Sequence, residues 1–155
     1  MVDLITELEK SFDGDAWHGN NVMAQLKSAD AGKVFARHIP NAHTIAELVL
    51  HLTAWTEEVT ERIEGRNAKE PVRGDWPAPT AHSDQEWQLM VNDFKKANDK
   101  LIATLKNLNL TDWSRAVKDD REFGENESIN YAQLINGLIQ HHAYHSGQIA
   151  LLMKF

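Results

Sequence analysis

A chain of 155 residues, 42% hydrophobic and 25% charged, is long enough to bury a proper core and too evenly mixed for extended disorder. Its formal net charge of -7, with Lys and Arg scattered rather than clustered, supplies no basic footprint for nucleic acid. There are no cysteines, which excludes disulfides, thiolate nucleophiles and thiolate metal ligands.

No apolar run approaches the roughly 20 residues of a membrane span, and Met1 to Lys10 alternates charge with Leu and Ile rather than forming a signal peptide. The expectation is a cytoplasmic protein, read as one domain over 1–155, with neither a membrane nor a nucleic-acid partner.

Leu4, Ile5, Leu8 and Phe12 recur at helical spacing up to the breaker Asp13-Gly14, and a second piece with Val22, Met23 and Leu26 follows Trp17-His18-Gly19. Ser28 to Asn41 has no clean period and reads as a loop that ends at Ile39-Pro40. Thr44 with Glu47 has capping-box spacing and opens a stripe of Ile45, Leu48, Val49, Leu52, Trp55, Val59 and Ile63, which stops at Gly65. Pro71, Gly74, Pro77 and Pro79 break regular structure between about Arg66 and His82. Ser83 caps a helix carrying Trp87, Met90, Val91, Phe94, Leu101, Leu105 and Leu108, whose stripe has no histidine and whose role is structural. Thr111-Asp112-Trp113 starts a short turn, Lys118 to Glu127 is a charged loop, and Ser128 or Asn130 caps a last helix that runs almost to Phe155. With no alternating strand pattern, the elements predict an all-α four-helix bundle with antiparallel second and last long helices.

The chemistry concentrates in that last helix, where three imidazoles fall within five residues: His141, His142 and His145. An α-helix turns about 100° per residue, so His141 and His145 share a face, near the apolar stripe of Leu134, Ile135, Leu138, Ile149 and Leu152. Imidazoles turned toward a core are costly unless their nitrogens are satisfied, and a divalent cation does that. His142 with His145, three apart, would serve nearly as well, so spacing leaves the choice open. His51, at the flank of the second long helix, is the natural third ligand because that helix can face the last one across the core. His38 and His82 lie off the helical stripes and are expected on loops or the surface, remote from the metal.

Ile45-Ala46-Glu47-Leu48-Val49-Leu50-His51-Leu52-Thr53-Ala54-Trp55, then Gly74-Asp75-Trp76-Pro77, then Gln140-His141-His142-Ala143-Tyr144-His145-Ser146-Gly147-Gln148-Ile149 together resemble the DinB-like superfamily of metal-binding four-helix proteins. That superfamily includes metal-dependent hydrolases of the YfiT type and thiol S-transferases, and Ala16-Trp17-His18-Gly19 is similar to a segment common in it. The resemblance implies a triad of His51, His141 and His145, with His142 a neighbour of the site or simply solvated. It further implies a bound Zn, Ni or Fe ion that activates water or a low-molecular-weight thiol co-substrate, for hydrolysis or S-transfer on a small molecule. A homodimer is implied by analogy alone. Trp17, Trp55, Trp76 and Tyr144 are candidate pocket walls, each weighed against plain packing, and His18 is a candidate proton-transfer group if its segment folds over the site. A non-enzymatic metal- or small-ligand-binding protein of a stress or damage response is the alternative reading.

Overall fold

The structure, a computed structural model, describes residues 3–120 and 128–155, so the loop read at Lys118 to Glu127 lies, from 121 onward, outside the described residues. It contains α1 (Leu4–Asp13), α2 (Val22–Ser28), α3 (Ile45–Ile63), α4 (Asp84–Lys106) and α5 (Tyr131–Leu152), with a 3-10 turn at Asp112–Ser114 and no strand among the described residues. None of these helices is long and apolar enough to cross a membrane.

Each helix begins where a side chain can accept the backbone N–H groups that the first turn leaves unpaired. Asp3, Asn21, Thr44, Ser83 and Asn130 do this for the five helices in order, so Asn130 rather than Ser128 starts α5. The two histidine-bearing helices also have the reciprocal bond: Glu47 accepts from the Thr44 N–H at 2.7 Å, and Gln133 from the Asn130 N–H at 2.9 Å. The first helical region is shorter than a bundle helix should be, with α1 spanning only 10 residues; α2 folds across the end of the bundle instead of extending it.

Two apolar clusters divide the bundle along its axis. One contains Phe12, Leu48, Leu52, Trp87, Phe94, Ile149 and Leu152; the other contains Leu8, Val59, Ile63, Leu101, Leu105, Leu134 and Leu138. The order in which each helix passes between them gives its direction. α1 and α5 run one way, α3 and α4 the other, so α3 and α5 are antiparallel neighbours as expected while α3 and α4 are parallel.

Between the clusters the core is polar. Ser11 of α1, Thr56 of α3, Asn98 of α4 and His142 of α5 sit at the level where apolar residues stop and start again, and the last three are completely buried.

The parallel α3–α4 pair forces the chain from Glu64 to Ser83 back along the bundle, and α3 is about 28 Å long at 1.5 Å per residue. The return strap lies on α3 itself. Lys69 donates its N–H to Glu58 at 2.9 Å, Arg73 grips Glu57 through two bonds of 2.8 Å, and Asp75 reaches His51 and Trp55. Gly74, with φ +83°, ends a turn closed by its N–H on the Pro71 carbonyl at 2.8 Å, a backbone shape only glycine adopts cheaply. Removing the Thr44 hydroxyl tests the local logic: Thr44→Ala should cost about 1 kcal/mol and lower the melting temperature by about 2–4 °C, measured by thermal denaturation followed by circular dichroism.

Candidate metal centre

α3 and α5 bring His51, His141 and His145 together, and their ligating atoms all lie within 4.8 Å of one another. The Nε2 atom of His141 is 2.9 Å from Nε2 of His51 and 3.0 Å from Nε2 of His145. His51 and His145 are each 5% exposed and His141 is half-buried.

The outer nitrogens decide what the inner ones can be. Nδ1 of His51 lies 2.6 Å from the Asp75 carbonyl oxygen, which can only accept, so that nitrogen bears the hydrogen. Nδ1 of His145 donates in the same way to Gln148 Oε1 at 2.7 Å. In neutral imidazoles this leaves both Nε2 atoms as bare lone pairs directed at a third ring. A neutral His141 can answer one of them with its own Nε2–H, but it has one hydrogen for two lone pairs, whereas a cation would be met by all three nitrogens.

An added proton, which would turn one ring into an imidazolium, is disfavoured. Burial, first, and the neighbouring imidazoles lower the pKa of His141 to about 4; burial is also the largest cause of the lowered values of His51 and His145. Asp75 opposes the fall at all three rings and so contributes negative charge that a divalent ion would also feel. Three neutral nitrogens suit Zn, Ni or Fe(II). Zinc–nitrogen distances of about 2.0–2.1 Å in a tetrahedron need donors about 3.3 Å apart, which a few tenths of an ångström of side-chain opening supplies.

Trp76 fastens the His51 ring from outside. Its indole stacks on His51 at 3.8 Å between ring centres and on His43 at 3.5 Å, making a three-ring sandwich. Trp55 donates its indole N–H to Asp75 Oδ1 at 2.7 Å and lines a cleft that also includes His51 and His141. Tyr144, largely exposed, sets its ring edge-on to His145 at 5.0 Å.

Other candidates lie elsewhere. Trp17 is 103% exposed and walls nothing, because Ala16 and Gly19 bridge into a tight turn that throws the indole into solvent. His18, on the same turn, does not fold over the triad; it lines a separate cleft with Gln25, Ser146 and Gly147, its segment held by the bond from Gln25 Nε2 to the Asn20 carbonyl at 3.0 Å. His38 stacks on Phe155 and His82 on Phe35, both away from the cluster.

His142 is a neighbour of the site and not the solvated residue that was the other reading: it is 0% exposed. The Thr56 hydroxyl spends its hydrogen on the Leu52 carbonyl at 2.7 Å, so His142 Nε2–H must be the donor to Thr56 Oγ1 at 3.1 Å. This bond joins α3 to α5 beside the triad and fixes their register. The signal was present in the sequence, because 135, 138, 142, 145, 149 and 152 repeat at spacings of three and four, placing His142 as squarely on the buried seam as His145. Asp75 and Gln148, the partners of the outer nitrogens, carry no role in the sequence reading: Asp75 meets His51 through its backbone carbonyl, which residue type does not announce, while its carboxylate takes the Trp55 indole N–H.

Comparison with known proteins agrees with the geometry. The family model described as the DinB superfamily matches residues 16–149, most of the chain and all three histidines. No curated protein sequence matches it.

Substitutions separate ligand, support and neighbour. His145→Ala should abolish stoichiometric metal binding, Gln148→Leu should weaken it about 10–100-fold, and His142→Ala should keep the metal while losing about 2–4 kcal/mol of stability; elemental analysis, competition with a chelator and denaturant titration read the three effects. The metal-free protein should also be acid-sensitive. Its histidines take up protons less readily folded than unfolded, so their contribution to stability is complete above about pH 6.5 and is lost as the pH falls toward 4, where His141 titrates. Thermal melts of metal-free protein from pH 7.5 to pH 4.5 should show this decline, and a flat profile would contradict it.

Proposed function

Since the chain belongs to the DinB superfamily, we propose that it is a metal-dependent enzyme acting on a small molecule, by hydrolysis or by transfer to a low-molecular-weight thiol. The observation that carries this reading is the convergence of three Nε2 atoms at 2.9 and 3.0 Å, with two of the outer nitrogens already committed to acceptors. Three protein donors leave part of a divalent ion's coordination to solvent and substrate, the pattern of catalytic rather than closed structural sites. When bound, such an ion lowers the pKa of water or a thiol and so supplies a nucleophile near neutral pH.

The chain's own residues would do the rest. His51, His141 and His145 hold the ion, while the Asp75 carbonyl and Gln148 keep His51 and His145 in the tautomer that presents Nε2. Trp76 shields the outer face of the His51 ring from water. The Asp75 carboxylate, the acidic side chain on the cleft wall, accepts the Trp55 indole N–H and lies 3.3 Å from Nδ1 of His51, so its negative charge would favour a cation held by that ring. A protein nucleophile is not needed, which suits a chain without cysteine.

The test is a screen of zinc-, nickel- and iron-loaded protein against activated esters and against electrophiles paired with several low-molecular-weight thiols. Activity should disappear on chelation, return on adding the metal back, and be absent in His145→Ala. Metal-free protein as active as the loaded form would remove the mechanism.

A further inference from the structure

This inference rests on the metal-centred reading and concerns what the substrate carries beside its reacting group. A cleft of about 380 Å³ runs between α3 and α5 from the His51–His141 edge of the triad toward the start of α5. Trp55 and Val59 wall it on the α3 side, Leu134, Gly137 and Leu138 on the α5 side. Ile129, 41% exposed, stands at the far end next to Gln133. From His141 to Gln133 is eight residues of helix, or about 12 Å.

The polar groups of this cleft are mostly spoken for. Arg62 is its cation, yet its Nε donates to Glu58 at 3.0 Å and its Nη2 to the Lys69 carbonyl at 2.9 Å. Gln133 Oε1 accepts from the Asn130 N–H at 2.9 Å, and Asp75 stands at the triad end with the Trp55 indole on its carboxylate. A neutralised cation and a carboxylate offer an anionic group no attraction, whereas the remaining wall is aliphatic and aromatic.

Gly137 adds an independent argument. It lies in the interior of a 22-residue helix, where glycine is destabilising because it has no side chain and excess backbone freedom. Nothing in the fold requires it: its φ is not positive, and a Cβ built there would meet no atom within 4 Å. What a side chain at 137 would occupy is the cleft itself.

We infer that the substrate bears an uncharged apolar arm, alkyl or aryl, that lies along Gly137 between Trp55 and Leu138 while its reacting group faces His51 and His141. Trp55 and Gly137 then set specificity, one by offering an aromatic wall and the other by leaving the room.

The test uses hydroxamates, which share one metal-seeking head group, and measures binding to zinc-loaded protein by calorimetry. Acetohydroxamate reports the metal alone, hexanohydroxamate adds four methylenes, and adipic monohydroxamate places a carboxylate at the end of a comparable arm. Full burial is worth about fourfold in affinity per methylene, so hexanohydroxamate should bind at least about tenfold tighter than acetohydroxamate, and the anionic compound should lose that gain. Gly137→Leu, which replaces a poor helix former and whose Cβ meets no atom within 4 Å, should fold and retain its zinc while losing the gain of hexanohydroxamate over acetohydroxamate. Metal-dependent acetohydroxamate binding with no gain from the arm, an equal gain from the anionic arm, or a gain that survives Gly137→Leu would overturn the inference alone. Acetohydroxamate binding that does not depend on zinc would overturn the metal reading and this inference with it.

Discussion

A surplus of lone pairs over hydrogens among three imidazoles is the constraint on which the rest of this structure turns. With hydrogens held on the far side of two rings by a backbone carbonyl and an amide oxygen, two Nε2 lone pairs face the Nε2 of His141, whose single hydrogen can answer one of them. The rings cannot swing away, because Trp76 stacks on one and the helices fix the other two. Nor do they protonate readily, since they are withdrawn from water. The fold therefore holds three nitrogens in an arrangement that a cation would complete, and the surrounding chain maintains their geometry and tautomer.

Maintaining it has a stability cost that is visible in the core. A continuous apolar interior would be the more stable choice for a bundle of this size, but here a layer containing Ser11, Thr56, Asn98 and His142 separates two apolar halves. Within it His142 Nδ1 and Asn98 Oδ1 have no hydrogen-bond partner, and unpaired buried acceptors are unfavourable. The compensation is register. Apolar side chains slide over one another with small energy differences, whereas the His142–Thr56 bond is satisfied in one axial alignment of α3 and α5. That alignment is the one that sets His51 opposite the other two ligands.

Much of this could be read from the chain and some could not, for identifiable reasons. The helices follow from their caps and stripes: Thr44–Glu47 and Ser83 announce their starts, and Gly65 falls just beyond the end of α3. The choice of His141 over His142 was not available from spacing and came from resemblance to a family, because two nitrogens three or four residues apart serve a metal almost equally. Of the two readings of His142, a neighbour of the site or a solvated residue, the first holds, and its position in the three-four repeat among Ile135, Leu138, Ile149 and Leu152 is the reason. Trp17 departs from its reading as a pocket wall: a large aromatic is expected to bury itself, yet a four-residue turn can hold it out in solvent. The bond from His51 to Asp75 ends on a main-chain carbonyl in a long loop, and every residue type offers one.

The parallel course of α3 and α4 has a further consequence for the lifetime of the bound state. Two segments with different claims to stability build the centre: the helices, which hold His141, His145 and the His51 backbone inside the core, and the strap, which lies on the surface and supplies the outer contacts of His51. The strap is held by the Arg73–Glu57 pair, the Glu58 bond and the Trp76 stack, and also by the buried Ala68, whose N–H donates to the Lys118 carbonyl at 2.7 Å. An opening of the strap that left the bundle folded would free the His51 ring to turn while His141 and His145 kept their places, so how fast an ion came and went and how tightly it was held would answer to different parts of the chain.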